Sequence, residues 1–223
     1  VRQVDVKDSN AAVGQTIRPA ASTNSGNNPN WVFSGPWQTW VGAVSEVFTN
    51  ENNWSPVGAP TPSVRLLVDG CYTTAPILSG VATAAQMIVG GYTTAMVTVN
   101  GQLTIMEHVE VQPNGTITHS SNSTTALGER YKLNLTVNGN LDIQTNARIS
   151  VDGKGYLGGN GPGIAVGSYA GGAGYGGRGG QHDPGTPGTT YGSITSPTNL
   201  GSGGLNGSGY TGGAGGAMRL IVS

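Results

Sequence analysis

The residues that could do chemistry are few and scattered. Glu107-His-Val-Glu110 has the acid–histidine–acid look of a general acid–base site. On a strand, however, Glu107 and His108 face opposite ways, as do Val109 and Glu110, so the stretch reads as a solvent-facing ladder. His108, His119 and His182 lie far apart and lack metal-ligand spacing. Gly172-Ala-Gly-Tyr-Gly-Gly177 satisfies the dinucleotide pattern G-x-G-x-x-G. It follows no strand and opens no helix, and glycine is frequent enough there to match by chance. No Walker A, H-E-x-x-H, G-x-S-x-G or C-x-x-C motif occurs. A glycosidase needs two carboxylates on facing positions, and a polysaccharide lyase adds Lys or Arg on one face. The eleven acids here are spread instead. No catalytic residue, metal centre or cofactor is expected. Structural calcium is the one ion to weigh. It needs several converging oxygens, and only Asp152 and Asp183 are acids near the glycines.

Composition points the same way. The chain of 223 residues suits one large all-β domain, with or without an appendage. Only 9% of residues are charged, net charge is −1 and the ten basic residues are dispersed, which excludes a nucleic-acid footprint. Abundant Asn, Thr, Ser and Gly suit an extracellular β-protein. Few charges would need desolvation if copies packed together. Cys71 is the single cysteine, so no intramolecular disulfide forms; a buried small hydrophobe is expected, with an intermolecular disulfide as the alternative. No apolar run approaches the ~20 residues that span a bilayer. Val1 opens no signal-peptide pattern, as expected of a mature chain whose leader was cleaved, or of a trimmed one. Asn53, Asn114, Asn122, Asn134 and Asn206 head N-x-S/T sequons, the candidate glycosylation sites.

The elements that would position these residues are organised around a repeat. Val97-Thr-Val-Asn-Gly-Gln-Leu-Thr-Ile105 and Leu135-Thr-Val-Asn-Gly-Asn-Leu-Asp-Ile143 are near-copies, 38 residues apart. Each has a short apolar strand, an Asn-Gly corner and a second strand of period two. Asn-Gly is read as supplying positive φ at the corner. Aligning the copies pairs Thr104 with Asp142 and stacks no carboxylates. Strands elsewhere are equally short and stop at Gly, Asn-Gly or Asp-Gly, as in Val64–Gly70 and Gln86–Gly91. The expected fold is therefore an all-β, parallel β-helix-like solenoid, each repeat spanning two coils, with a β-sandwich or jelly roll as the alternative.

Four segments are expected along the chain. Residues 1–30 form an N-terminal arm, either a flexible leader or a strand donated to a neighbouring subunit through Val4, Val6, Val13 and Ile17. Residues 31–153 form the solenoid body. It opens with all four tryptophans, Trp31, Trp37, Trp40 and Trp54, together with Phe33 and Phe48. They read as an aromatic cap closing the end of the solenoid. The alternative is a glycan-stacking platform on Trp31, Trp37 and Trp40. Val41–Phe48 is expected to make a short helical turn. A polar loop, 119–130, leaves the body. Residues 154–216 form a glycine-rich insertion; 26 of the 39 glycines lie in 153–216. Tyr156, Tyr169, Tyr175, Tyr191 and Tyr210 are expected to fill gaps in a packed, irregular or polyproline-II-like layer, a disordered linker being the other reading. Residues 217–223 return as a closing strand.

Asn53-Trp-Ser with Gly58, Pro60 and Val64–Gly70 resembles the opening of β-solenoid repeat domains in large bacterial secreted and cell-surface proteins. Val151-Asp-Gly-Lys-Gly-Tyr-Leu-Gly-Gly-Asn-Gly-Pro-Gly163 and the closing Gly-Gly-Ala-Met-Arg-Leu-Ile-Val222 resemble their glycine-rich modules. The resemblance covers about residues 53–223. It implies an extracellular structural or adhesive role and supplies no catalytic residues. Relatives of this type are modules of very large proteins, so a lone module is expected to polymerise. The expected function is a self-assembling extracellular filament, sheath or surface-layer subunit. Its partner is its own copies, with cell-surface glycans as partner in the adhesin alternative.

Overall fold

The structure, a computed structural model, describes residues 4–13, 17, 23–31, 36–122, 128–167, 171–181, 184–205 and 211–223. It is all-β. β1 (Asp5–Lys7) and β2 (Thr23–Gly26) make a parallel pair of their own. β3 (Trp37–Trp40) and β4 (Trp54–Ser55) pair antiparallel. The body continues through β5 (Arg65–Val68), β6 (Ile77–Leu78), β7 (Val81–Val89), β8 (Ala95–Val99), β9 (Gln102–Val111), β10 (Gly115–Thr118), β11 (Leu133–Val137), β12 (Asn140–Ile143) and β13 (Arg148–Ile149). β14 (Gly204–Leu205) and β15 (Thr211–Gly212) pair inside the glycine-rich insertion, and β16 (Met218–Val222) returns to the body.

From β5 onward every pairing of the body is parallel. That arrangement is unlike the antiparallel strands of a jelly roll. The ladders are three. The first half of β7, the first half of β9, β11 and β16 stack in one. β3, β5, the second halves of β7 and β9, and β12 stack in the second. β6, β8, β10 and β13 form the third. From β5 onward the chain passes through the second, third and first ladders in turn. Ala82 meets Leu103, 21 residues on; Leu103 meets Leu135, 32 on; Leu135 meets Leu220, 85 on. The longer steps are taken up by the polar loop and then by the glycine-rich insertion.

The alternation read from the sequence explains what faces inward. Leu66, Met87 and Val109 stack, as do Val68, Val89 and Val111, and all are fully buried. Leu78, Val97, Val99 and Ile117 complete one continuous core. Each buried Leu, Ile or Val contributes roughly 1.5–3 kcal/mol relative to exposure.

Two expectations are corrected here. The 38-residue repeat is not the stacking repeat. Leu135 pairs with Leu103 and not with Val97. The first copy runs from the third ladder into the first; the second runs from the first ladder into the second. Its Asn-Gly corners also lie outside the positive-φ residues. Glycine is needed there for close approach: a Cβ on Gly101 would sit 1.8 Å from the Gly80 carbonyl oxygen, and one on Gly139 1.9 Å from that of Glu107. Left-handed residues turn the chain elsewhere, between the second and third ladders, at Gly70, Gly90, Asn114 and Asn146.

No helical turn forms over Val41–Phe48. The buried Asn53 carboxamide accepts from the Val44 and Ser45 N–H groups and donates to the Val47 carbonyl, holding the segment as a loop. A single 3-10 turn follows at Glu51–Asn53, with the Asn50 side chain capping it.

Candidate functional site

The two ends of the body differ. At the N-terminal end, β4 lies across β3 and the rings of Trp40, Phe48 and Trp54 close the core. Trp54 meets Trp40 edge-on at 5.0 Å and Phe48 at 5.2 Å. The Trp40 Nε1–H donates to the Thr74 carbonyl and that of Trp54 to the Phe48 carbonyl, so both indoles are buried with their polar edge bonded. At the other end the last strands are left partly open. Met218, Leu220 and Val222 are 41%, 40% and 49% exposed, although they pair with Leu133, Leu135 and Val137, which are 0%, 1% and 0% exposed. Ile143 is 45% exposed beside fully buried Val111. These positions continue the inward-facing rows of their ladders onto the last strands. β16 and β12 also present one unpaired backbone edge each. A cleft of about 520 Å³ runs along this edge, lined by Lys132, Asn134, Thr198, Met218, Arg219 and Leu220 among others.

The arm is a folded unit. β1 and β2 run parallel, Asp5 beside Thr23 and Val6 beside Asn24. Asparagines order this polar stretch: Asn28 accepts from the Ser9 N–H and donates to the Val6 carbonyl, and Asn30 donates to the Ala11 carbonyl. Of the expected assembly residues, Val6 is buried within the arm, Val4 and Val13 are exposed, and half-buried Ile17 bridges to Trp31.

Of the three tryptophans expected to stack on a glycan, one is corrected by its burial. Trp40 is fully buried, and the Arg65 guanidinium sits 5.0 Å over the Trp37 ring, occupying a face that a sugar would use. Trp31 is half-buried in the arm. Among the sequons, Asn53 and Asn122 are buried and their carboxamides are spent on local hydrogen bonds, which corrects the expectation of a glycan there. Asn114 is exposed at a corner, Asn134 lines the cleft, and Asn206 lies outside the described residues. Cys71 is exposed rather than buried, because it follows the Asp69-Gly70 corner, outside the ladders.

The acid–histidine stretch is also corrected. Glu107 lies at the bend between the halves of β9, is 9% exposed and accepts from the Gln86 Nε2–H. His108 and Glu110 share a face, Nε2 to Oε2 3.8 Å apart. Glu110 is 4% exposed and accepts from Gln112 and Gln144. Its register neighbour is Asp142, while Thr104 pairs with Thr136, so two carboxylates do stack. Glu107 and Glu110 are thus covered and hydrogen-bonded rather than solvent-facing, whereas Asp142 is exposed. No three His, Cys, Asp or Glu side chains converge as metal ligands among the described residues, and no described helix is long and apolar enough to cross a membrane. His182 and Asp183 lie outside the described residues; Asp152 is exposed and accepts from Ser150 Oγ. Gly172–Gly177 runs within the glycine layer, with no helix after it.

That layer is packed. Gly174 donates to Gly163, Gly188 to Gly172 and Gly179 to Gly188. A Cβ on Gly163, Gly174, Gly179 or Gly188 would fall within 2.5 Å of a neighbouring carbonyl oxygen. Tyr175 and Tyr191 stack edge-on at 4.9 Å, and Tyr156 is fully buried beneath Leu200 and Ala217. Tyr169 and Tyr210 lie outside the described residues.

One core position carries a histidine. Thr118 pairs with Thr98, which puts His119 beside Val99, fully buried. Its Nδ1 lies 2.8 Å from the Ser120 carbonyl, and Nε2 has no hydrogen-bond partner. Burial lowers its pKa below the usual 6.5; Lys154 lowers it further, against the Ser120 carbonyl, which raises it. The unfolded chain therefore binds this proton before the folded one does. Stability is fully present above 6.5 and is lost as pH falls from there toward the lower folded value. His119→Leu is expected to lose less melting temperature than the natural protein between neutral and acidic buffer. Parallel losses in thermal scans of the two would refute this.

No family model, curated protein or solved structure matches the chain.

Proposed function

We propose that the chain is a structural subunit of an extracellular, self-assembling filament, sheath or surface layer, its body a three-sided β-solenoid. The observation that carries this is the open edge, where core positions on β16 and β12 stand 40–49% exposed. Soluble proteins normally blunt or cover such edges. A further strand of the same parallel form would cover the apolar positions and complete the backbone ladder, and a second copy supplies one. The arm suits that role. Its two strands are paired 18 or 19 residues apart, close to the 20 to 22 of the shorter body circuits, so the pair has the form of a rung. Low charge limits the desolvation cost of close packing.

The test is negative-stain electron microscopy with light scattering, on the full chain and on a chain lacking residues 1–20. The full chain is expected to form long regular fibres, tubes or sheets. The shortened chain is expected to stay folded and monomeric. A full chain that remains monodisperse would sink the structural reading. Normal assembly of the shortened chain would remove the arm as donor.

A further inference from the structure

The two near-copies contain the same tetrapeptide, Thr98-Val-Asn-Gly101 and Thr136-Val-Asn-Gly139. Their surroundings differ. The Asn100 carboxamide is held at both ends: Oδ1 accepts from the Ser120 N–H at 2.8 Å and Nδ2 donates to Ser120 Oγ at 2.9 Å. The following N–H, of Gly101, donates to the Leu78 carbonyl. Asn138 is exposed, and its carboxamide reaches only the Met106 sulfur, at 3.8 Å. The Gly139 N–H donates no hydrogen bond among the described residues. The other described Asn-Gly pairs are restrained. Asn114 and Asn160 each donate to a backbone carbonyl; Gly115 N–H is bonded to Gln112, and Gly161 is buried.

We propose that Asn138 is a site of spontaneous deamidation and isoaspartate formation, while Asn100 is protected by the fold. The Gly139 nitrogen, on losing its proton to solvent base, attacks Asn138 Cγ. The N–Cγ bond forms, the Cγ–Nδ2 bond breaks and the amide nitrogen leaves as ammonia. Water then adds to either carbonyl of the five-membered imide and opens it, giving aspartate or isoaspartate at position 138. Water is the only co-reactant and no redox step occurs. At Asn138 only the weak, long contact from Nδ2 to the Met106 sulfur has to be given up. At Asn100 three hydrogen bonds stand in the way. The protein cannot escape by replacing the glycine, since the Glu107 carbonyl leaves no room for a Cβ at Gly139. The product adds a negative charge at the corner between β11 and β12, and the isoaspartyl form adds one methylene to a backbone already in contact with the preceding circuit. The chemistry is independent of whether the edge is an assembly surface.

The experiment incubates the intact folded protein in mildly alkaline buffer and follows both peptides by mass spectrometry. Isoaspartate is scored with a protein isoaspartyl methyltransferase. The Asn138 peptide is expected to gain the mass difference between amide and acid about tenfold or more faster than the Asn100 peptide, a ratio set by the hydrogen bonds to be broken. In denaturant the two rates are expected to converge, because the local sequence is the same. Equal rates in the folded protein, or no conversion at Asn138, would overturn the proposal. So would an unchanged rate ratio in denaturant, which would place the cause in sequence beyond the shared tetrapeptide.

Discussion

Trp54→Ala is expected to cost about 3–5 kcal/mol, the range for truncating a large buried aromatic. For a chain of this size that lowers the melting temperature by on the order of ten degrees. The indole is 1% exposed and touches two other rings edge-on. Truncation leaves a cavity under β4 and removes the donor to the Phe48 carbonyl. It also opens the core at the one end that is closed, because Trp40 and Phe48 lose their neighbour together. The check is a urea titration, read as a lower midpoint at an unchanged slope. Trp37→Ala is the control. Trp37 is only half-buried and its ring is covered by Arg65, so its loss should cost well under half as much. If the two variants behave alike, the aromatic cluster is not the closure described.

The second large effect falls on assembly. Leu220→Glu combined with Val222→Glu is expected to abolish higher-order species in light scattering while the monomer stays folded. Both side chains are already 40–49% exposed, so the monomer loses little packing. In an assembled edge each new carboxylate would be buried without a partner. That costs several kcal/mol, which weakens association by on the order of a thousandfold or more. Leu135→Glu provides the contrast, since Leu135 pairs with Leu220 one circuit inward and is 1% exposed. That variant should fail to fold. Regular assembly by the doubly substituted chain would show that the open edge is not the contact.

Much of the strand content was legible in the sequence because period-two alternation is local. Leu103, Ile105, Leu135 and Val137 announce an inward face by their spacing alone, and all are buried. The return of Met218–Val222 as a strand after the glycines was legible for the same reason. The tyrosine-filled glycine layer could be read from composition, since only residues without Cβ permit such close backbone contact.

Register is not local, and the order of residues does not reveal it. Which circuit lies on which depends on the summed length of corners and excursions, so near-copies at 97–105 and 135–143 came to rest on different ladders. Everything that depends on register followed. Glu110 met Asp142, and Asn100 was clamped by Ser120 while its copy Asn138 was left in solvent. Tertiary structure also decided the fate of residue types that the sequence treats alike. Trp40 and Trp54 became core while Trp37 stayed at the surface, because alternate residues of β3 face opposite sides and only one side meets the core. Asn53 was spent on a loop and Cys71 was left outside. The amino-acid order by itself determined that this chain is built of short β-strands with one apolar face. Stacking decided which of those faces would be covered and which edge would remain open, because a ladder is completed only by the strand that lies beside it.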